Sequence, residues 1–255
     1  MLFETIEIDK DHGVARVFLN RPDVRNAFNE KLIEELQRIF LELTDDPTIQ
    51  VIVLGGRGLS FCAGADLNWM KKMTNYSYEE NLLDATALAN MLHTVYQCPK
   101  PVIAKVHGDV YAGGVGLVAV CDIVIASDQV HFCLSEAKLG LLPATISPYV
   151  IKALGEQASR RYFITAERFT ANRAYQLGLV HELVNIEQLD DVVEKIITTL
   201  RSNGSNAVMA CKKLVQDVAG IEITHELIKE TAKRIADIRG TKEAQVRMAN
   251  FLEKK

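Results

Sequence analysis

The stretch KPVIAKVHGDVYAGGVGLVAVCDIVIAS, Lys100 to Ser127, decides the fold. It opens on a β-branched apolar run behind Pro101 and passes a glycine-rich bend. It continues as a short apolar segment and closes on a second β-branched run. Two such runs joined by a helix read as parallel strands of a sheet covered on both faces, because a run apolar at every position leaves no face for water. Gly113, Gly114 and Gly116 crowd the mouth of the intervening helix. Each weakens a helix by roughly 1 kcal/mol relative to alanine, so the segment gains something else from them. The first amides of a helix have no internal partner. Glycine lets a bound group approach them closely, and such amides suit a phosphate or a developing oxyanion.

Gly114 to Ala119 also fits the dinucleotide pattern GxGxxA. The context argues against that reading. Gly108 to Ala112 intervene where a tight strand-to-helix turn is required, and the next strand begins with Asp122 instead of ending in an acid. Close helix–strand packing is the structural alternative for these glycines.

Working outward, FETIEIDKDHGVARVFLN reads as a hairpin about Asp11-His12-Gly13. Residues 30 to 46 place Leu32, Ile33, Leu36, Ile39, Phe40 and Leu43 at helical spacing. IQVIVLGG predicts another buried parallel strand, and a helix is predicted from about Ser77 to Tyr96. HFCLSE follows as a short extended piece. From about residue 148 the strands are expected to stop. The remainder reads as helices, one of them capped by Thr170 and closed by Gly178. The expected architecture is α/β: a core over residues 1–195 and a helical C-terminal region over 196–255, whose long last helices pack on another surface such as a neighbouring subunit.

The whole chain bounds the function. Its 255 residues are 48% hydrophobic and 24% charged, ordinary for a globular protein with a sizeable core. A net charge of −4 with no basic block argues against nucleic acid as a partner. No run of about eighteen apolar residues exists to span a membrane. MLFETIEIDK lacks the basic and apolar regions of a signal peptide. Cys62, Cys98, Cys121, Cys133 and Cys211 make no CxxC pair and read as reduced thiols, most of them buried, which fits a cytoplasmic location. No metal-binding spacing and no GxSxG elbow occur. His107 and His131, at strand ends, read as structural, and Trp69 and Met70 as packing or pocket-lining residues.

A second strand end carries similar chemistry. GRGLSFCAGADLNWM, Gly56 to Met70, also ends in a turn of small residues, Ala63-Gly64-Ala65. Asp66 reads as a turn or cap residue. Two strand ends thus offer exposed amides, and two amides on one carbonyl oxygen are what an enolate needs.

The pieces NRPDVRNAFN, FCAGADL, KPVIAKVHGDVYAGG, CDIVIAS, FCLSEAKLGLLP and ANRAYQLGLVHELV, in this order, resemble the crotonase (enoyl-CoA hydratase/isomerase) superfamily along almost the whole chain. The resemblance implies a spiral β/α core of the ClpP/crotonase kind with a helical trimerisation region, acyl-CoA thioester substrates, and a homotrimer or homohexamer. No separate cofactor is implied, since coenzyme A belongs to the substrate. The implied oxyanion hole is the amides of Ala65 and Gly113. Ala63, Ala65, Asp66, Leu67, Asn68, Gly113 and Gly114 are the implied CoA-lining residues, with Arg25 and Ala27 near the diphosphate and pantetheine. Hydratases of this family use two glutamates. One is present as Glu136, in an apolar setting that raises its pKa. The other position, three residues beyond the Gly113 amide, holds Gly116.

A lone glutamate suits a Δ3,Δ2-enoyl-CoA isomerase. It also suits a hydratase in which Glu136 activates water and delivers the α-proton, the first site standing empty to admit a larger or charged acyl group. GADLNWMKKM, GLLPATISPYVIKALGEQASRRYFITAERF and Gly116 resemble the 3-methylglutaconyl-CoA and isohexenylglutaconyl-CoA hydratases, whose substrates carry a distal carboxylate. Arg160, Arg161, Thr145 and Ser147 are candidates to meet it, although the arginines read more readily as a helix-surface or subunit-contact pair. Phe251 and Lys254 read equally as candidates to reach a neighbour's CoA and as part of a frayed terminus. A catalytically silent CoA-binding or RNA-binding scaffold is the reading outside enzymes. The expectation carried forward is an enoyl-CoA hydratase of the 3-methylglutaconyl type.

Overall fold

The computed structural model describes residues 3–253; Lys254 lies outside them. β1 (Ile6–Asp11) and β2 (Val14–Leu19) form the expected hairpin, closed by His12 and Gly13, both at positive φ. Two consecutive positive-φ residues are what a two-residue hairpin turn requires. α1 (Glu30–Asp45) buries all six of the residues chosen by spacing, together with Glu35. Asn29 caps it by accepting from the Leu32 amide.

β3 (Val51–Gly56), β4 (Val102–Val106), β6 (Ile123–Ser127) and β9 (Glu182–Val184) extend the hairpin into one six-stranded sheet of order β1-β2-β3-β4-β6-β9, parallel from β2 onward. Successive side chains of a strand point to opposite faces, and both faces are covered. Ile52, Leu54, Val102, Ala104, Val106, Val124 and Ala126 join the main apolar cluster with α1 and α3 (Tyr78–Gln97). Val51, Val53, Ile103 and Ile125 meet Leu189, Val193 and Ile197 of α8 (Leu189–Ser202) on the other face. The apolar runs are continuous for that reason.

β5 (Val110–Tyr111), β7 (His131–Cys133) and β8 (Arg168–Thr170) make a second, three-stranded sheet, β5 parallel to β7. β8 and β9 correct the expectation that strands end near residue 148. At three residues each they are too short to show an alternation, and their partners lie far away in sequence.

α2 (Leu67–Met73) and α4 (Gly113–Ala119) follow the two glycine-bearing loops, α5 (Ser147–Leu154) and α6 (Glu156–Thr165) lie between β7 and β8, and α7 (Ala171–Leu177) follows β8. The division expected at 195/196 falls inside α8, whose Val193 and Ile197 share one cluster. α9 (Ser205–Val218), α10 (His225–Arg239) and α11 (Lys242–Glu253) bury none of their residues. α9 is tied to the core by polar contacts, among them Lys212 to Asp122 at 2.6 Å and Gln216 to the Tyr96 carbonyl at 2.8 Å; α10 is held on α9 by Arg234 and Asp217, and Arg247 of α11 donates to the Ser202 and Asn203 carbonyls. Cys62, Cys98, Cys121 and Cys133 are buried and Cys211 is exposed. No described helix is long and apolar enough to cross a membrane.

Candidate active site

β3 and β4 are adjacent and parallel, so the loops leaving their C-terminal ends lie side by side. Cys62 and Val110 form a parallel bridge, with the Tyr111 amide donating to the Cys62 carbonyl at 2.9 Å. A Cβ on Gly114 would stand 2.8 Å from Cys62 Cβ, and one on Gly64 would stand 3.1 Å from Ala112 Cβ. Only residues without a side chain allow the loops this close. Gly64 also sits at φ +90.

A third segment seals the arrangement. Phe28 bridges Ala65: its amide donates to the Gly64 carbonyl at 2.6 Å, and its carbonyl accepts from the Asp66 amide at 2.8 Å. In such a bridge the N–H of the central residue points away from the partner. The Ala65 amide is therefore turned outward. The Gly113 amide opens α4 and has no carbonyl one turn back to receive it. Among the described residues neither amide donates a hydrogen bond. Both residues are half-buried. Ala112, just before Gly113, holds φ 48 and ψ −120, a strained conformation costing on the order of 1–3 kcal/mol. Its amide is anchored on the Cys133 carbonyl at 2.8 Å.

That anchor brings in the acid. β5 and β7 run parallel with Tyr111 opposite Cys133. Gly113 and Glu136 each follow shortly after these paired residues, so both leave the small sheet at the same end. Glu136 begins a single 3₁₀ turn, Glu136–Leu139. Its Oε2 is buried without a hydrogen-bond partner. Burial pushes its carboxyl above the ordinary 4.5.

Asp66 is different. It caps α2 through the Asn68 and Trp69 amides and accepts from Arg21 at 2.8 Å. Burial alone would raise its pKa, but Arg21 and the two amides hold it below 3.8. The cap reading of Asp66 stands. The remaining predicted residues fall around it. Arg25 is exposed at φ 52, and its carbonyl accepts from the Ala63 amide at 3.0 Å. Ala27 is buried, and its carbonyl accepts from Arg21. Leu67 and Asn68 form the exposed first turn of α2.

Two supporting residues were missed in the sequence. Arg21 ties Ala27 to Asp66, and buried Asn26 donates to the Arg57 and Ser60 carbonyls at 2.8 Å each. Nothing local in NRPDVRN distinguishes them from turn residues. On the exposed surface Arg160 pairs with Glu156 within α6, and Arg161 pairs with Glu167 just beyond its end. Ser147 Oγ donates to the Ala144 carbonyl, and Thr145 is half-buried. Trp69 is buried and donates to Asp84 at 2.9 Å. His107 meets the Gly58 carbonyl at 2.9 Å, and the His131 amide donates to Asp109 at 3.0 Å.

The expected vacancy at Gly116 is overturned. Buried Ile146 fills that space, and a Cβ on residue 116 would stand 2.5 Å from Ile146 Cβ.

Residues 9–255 match the family described as enoyl-CoA hydratase/isomerase. The chain is 30% identical over 249 residues to the enoyl-CoA hydratase ACTT6 of Alternaria alternata, covering 96% of this chain and 82% of that protein. It is 28% identical over 240 residues to the trans-2-decenoyl-[acyl-carrier-protein] isomerase of Streptococcus mutans, covering 92% and 91%. The solved structure of an enoyl-CoA hydratase from Shewanella pealeana superposes with a TM-score of 0.96 at 38% identity, over 99% of this chain and 95% of that one.

Proposed function

Because the chain belongs to the enoyl-CoA hydratase/isomerase family, we propose that it is a hydratase adding water across the C2=C3 bond of an enoyl-CoA thioester. The observation that carries this reading is the pairing of two acceptor-less amides, Ala65 and Gly113, with Glu136, whose buried Oε2 has no hydrogen-bond partner. The amides hold the thioester oxygen. Charge grows on that oxygen as the β-carbon is attacked, so preorganised donors stabilise the transition state more than the ground state. Glu136 in its ionised form takes a proton from water as the oxygen bonds to C3. The electrons of the double bond move onto the thioester oxygen as an enolate. Glu136 then returns the proton to C2, and both new bonds form on one face. A raised pKa suits a group that must take and return a proton near neutral pH.

The CoA moiety lies along Arg25, Ala27, Ala63, Asp66, Leu67, Asn68 and Gly114 in this reading, supported by the hydrogen bonds that gather these segments about Ala65. The acyl group is of the 3-methylglutaconyl type, supported by the resemblance of GADLNWMKKM and GLLPATISPYVI. With both arginines of α6 paired at the surface, no cation for a distal carboxylate is assigned. A homotrimer or homohexamer is supported by the three C-terminal helices, which bury none of their residues within one chain.

One observation favours a second reading. The second-carboxylate position is filled by apolar Ile146, which suits an isomerase that shuttles one proton between C2 and C4. The test is direct. The protein is incubated in ¹⁸O-water with 3-methylglutaconyl-CoA, crotonyl-CoA and a 3-enoyl-CoA. Loss of the conjugated enone with oxygen uptake is expected for the first. Double-bond migration without oxygen uptake would replace the hydratase by the isomerase, and inertness toward all three would replace both by a binding scaffold.

A further inference from the structure

Gly116 lies three residues along α4 from Gly113, and residues at this spacing share one face of a helix. Its missing side chain leaves no gap. A Cβ there would stand 2.5 Å from Ile146 Cβ and closer still to Cγ2, within distances that real Cβ atoms do not show. Ile146 is 1% exposed and immediately precedes α5. It is delivered by the segment that follows the Glu136 turn. One stretch, 136–146, thus supplies both the carboxyl and the apolar group that takes the place of a second one.

The geometry points to Ile146 as a specificity-determining residue: it stands in for the side chain of residue 116 beside the reacting carbons and confines proton transfer to Glu136. This inference rests on the catalytic reading of Glu136 and extends it to Ile146. Two consequences follow from the chemistry. With a single proton carrier, kcat/KM depends on one ionisation and rises along one limb with pH, whereas an acid and a base together give a bell. An isoleucine filling the position of residue 116 also limits the bulk that an acyl chain can carry near C3.

The test compares wild type, Gly116→Glu, Ile146→Gly, the double variant Gly116→Glu/Ile146→Gly and Ile146→Ala. The readouts are kcat/KM against pH for the enoyl-CoA turned over, and the thermal midpoint. Glycine is needed at 146 in the pair because even an alanine Cβ would collide. Wild type is expected to show one rising limb. Gly116→Glu is expected to melt earlier and lose about a hundredfold in kcat/KM through displacement of the site. The double variant is expected to regain much of that loss and to acquire a falling limb at higher pH. Ile146→Ala, which keeps Gly116, is expected to shift the kcat/KM ratio of C3-branched to unbranched enoyl thioesters by about tenfold toward the branched one. That readout stands even where the double variant does not fold.

Gly116→Glu as active and stable as wild type would overturn the inference. So would a double variant that recovers activity with a single limb, or an unchanged ratio in Ile146→Ala. A wild-type chain inert toward every enoyl-CoA would overturn the reading of Glu136 as well, which separates the two failures.

Discussion

Asp66 and Glu136 are both carboxylates next to the free amides, and the fold treats them in opposite ways. Asp66 follows the Ala65 amide directly and is met by a guanidinium and two amides. Its charge is satisfied before any substrate arrives, and it serves as a cap. Glu136 leaves the small sheet beside Gly113 with one buried oxygen that nothing meets. A buried polar atom without a partner costs roughly 1–3 kcal/mol. A fold retains that cost where the group has work to do on a ligand, so an acid's partners, more than its exposure, separate a structural role from a chemical one.

The contrast is broken most sharply at Glu136. Glu136→Gln is expected to lower turnover by at least about a hundredfold, read in a steady-state assay, with no fall in the thermal midpoint, since no protein contact to Oε2 is lost. Near-normal turnover would remove Glu136 from the chemistry. Next in size, Gly114→Ala drives a Cβ to within 2.9 Å of the Cys62 carbonyl, and overpacking of this kind costs about 1–3 kcal/mol. Urea unfolding should show that loss, with a fall in turnover as the two loops part. Asp66→Ala removes a helix cap, worth about 1 kcal/mol. It is expected to lower stability while costing far less turnover than Glu136→Gln; the reverse ranking would invert the assignment of the two acids.

The smallest effect is the pH dependence, and its sign differs between the two. Glu136 is raised above 4.5. In the proposed reaction its ionised form acts as base, so kcat/KM is expected to rise with pH through that raised value, and Glu136→Gln is expected to erase the limb. The same shift favours the folded state below 4.5, an advantage lost as pH rises through the folded pKa. Asp66 is lowered below 3.8. Its stabilisation is complete above that value and disappears as pH falls through the depressed pKa. Comparing unfolding of wild type and Asp66→Ala across acid pH would show the gap between them closing on acidification.

The parts legible in the sequence were those governed by local periodicity or by glycine. The buried face of α1, the strands at Val51 and Val102, and the turn at His12-Gly13 all follow from spacing and φ. The two small-residue loops were legible as amide-bearing strand ends. What stayed hidden depends on partners distant in the chain. Ile146 is thirty residues from Gly116, and no pattern in either segment announces that one fills the other. The guanidinium of Arg21 and the amide of Asn26 look like turn residues until the 57–66 loop is folded against them. β8 and β9 exist because β7 and β6 offer them edges.

The alternation of β3, β4 and β6 between two apolar clusters also fixes where the Ala65 and Gly113 amides stand. A slip of one residue in β4 would exchange Ile103 for its neighbours across the sheet and carry the following loop about 3.3 Å along the strand. The Gly113 nitrogen would travel with it, away from the oxygen that it and Ala65 are proposed to hold together. The precision of this site is thus set tens of residues away, by which aliphatic side chain faces which layer.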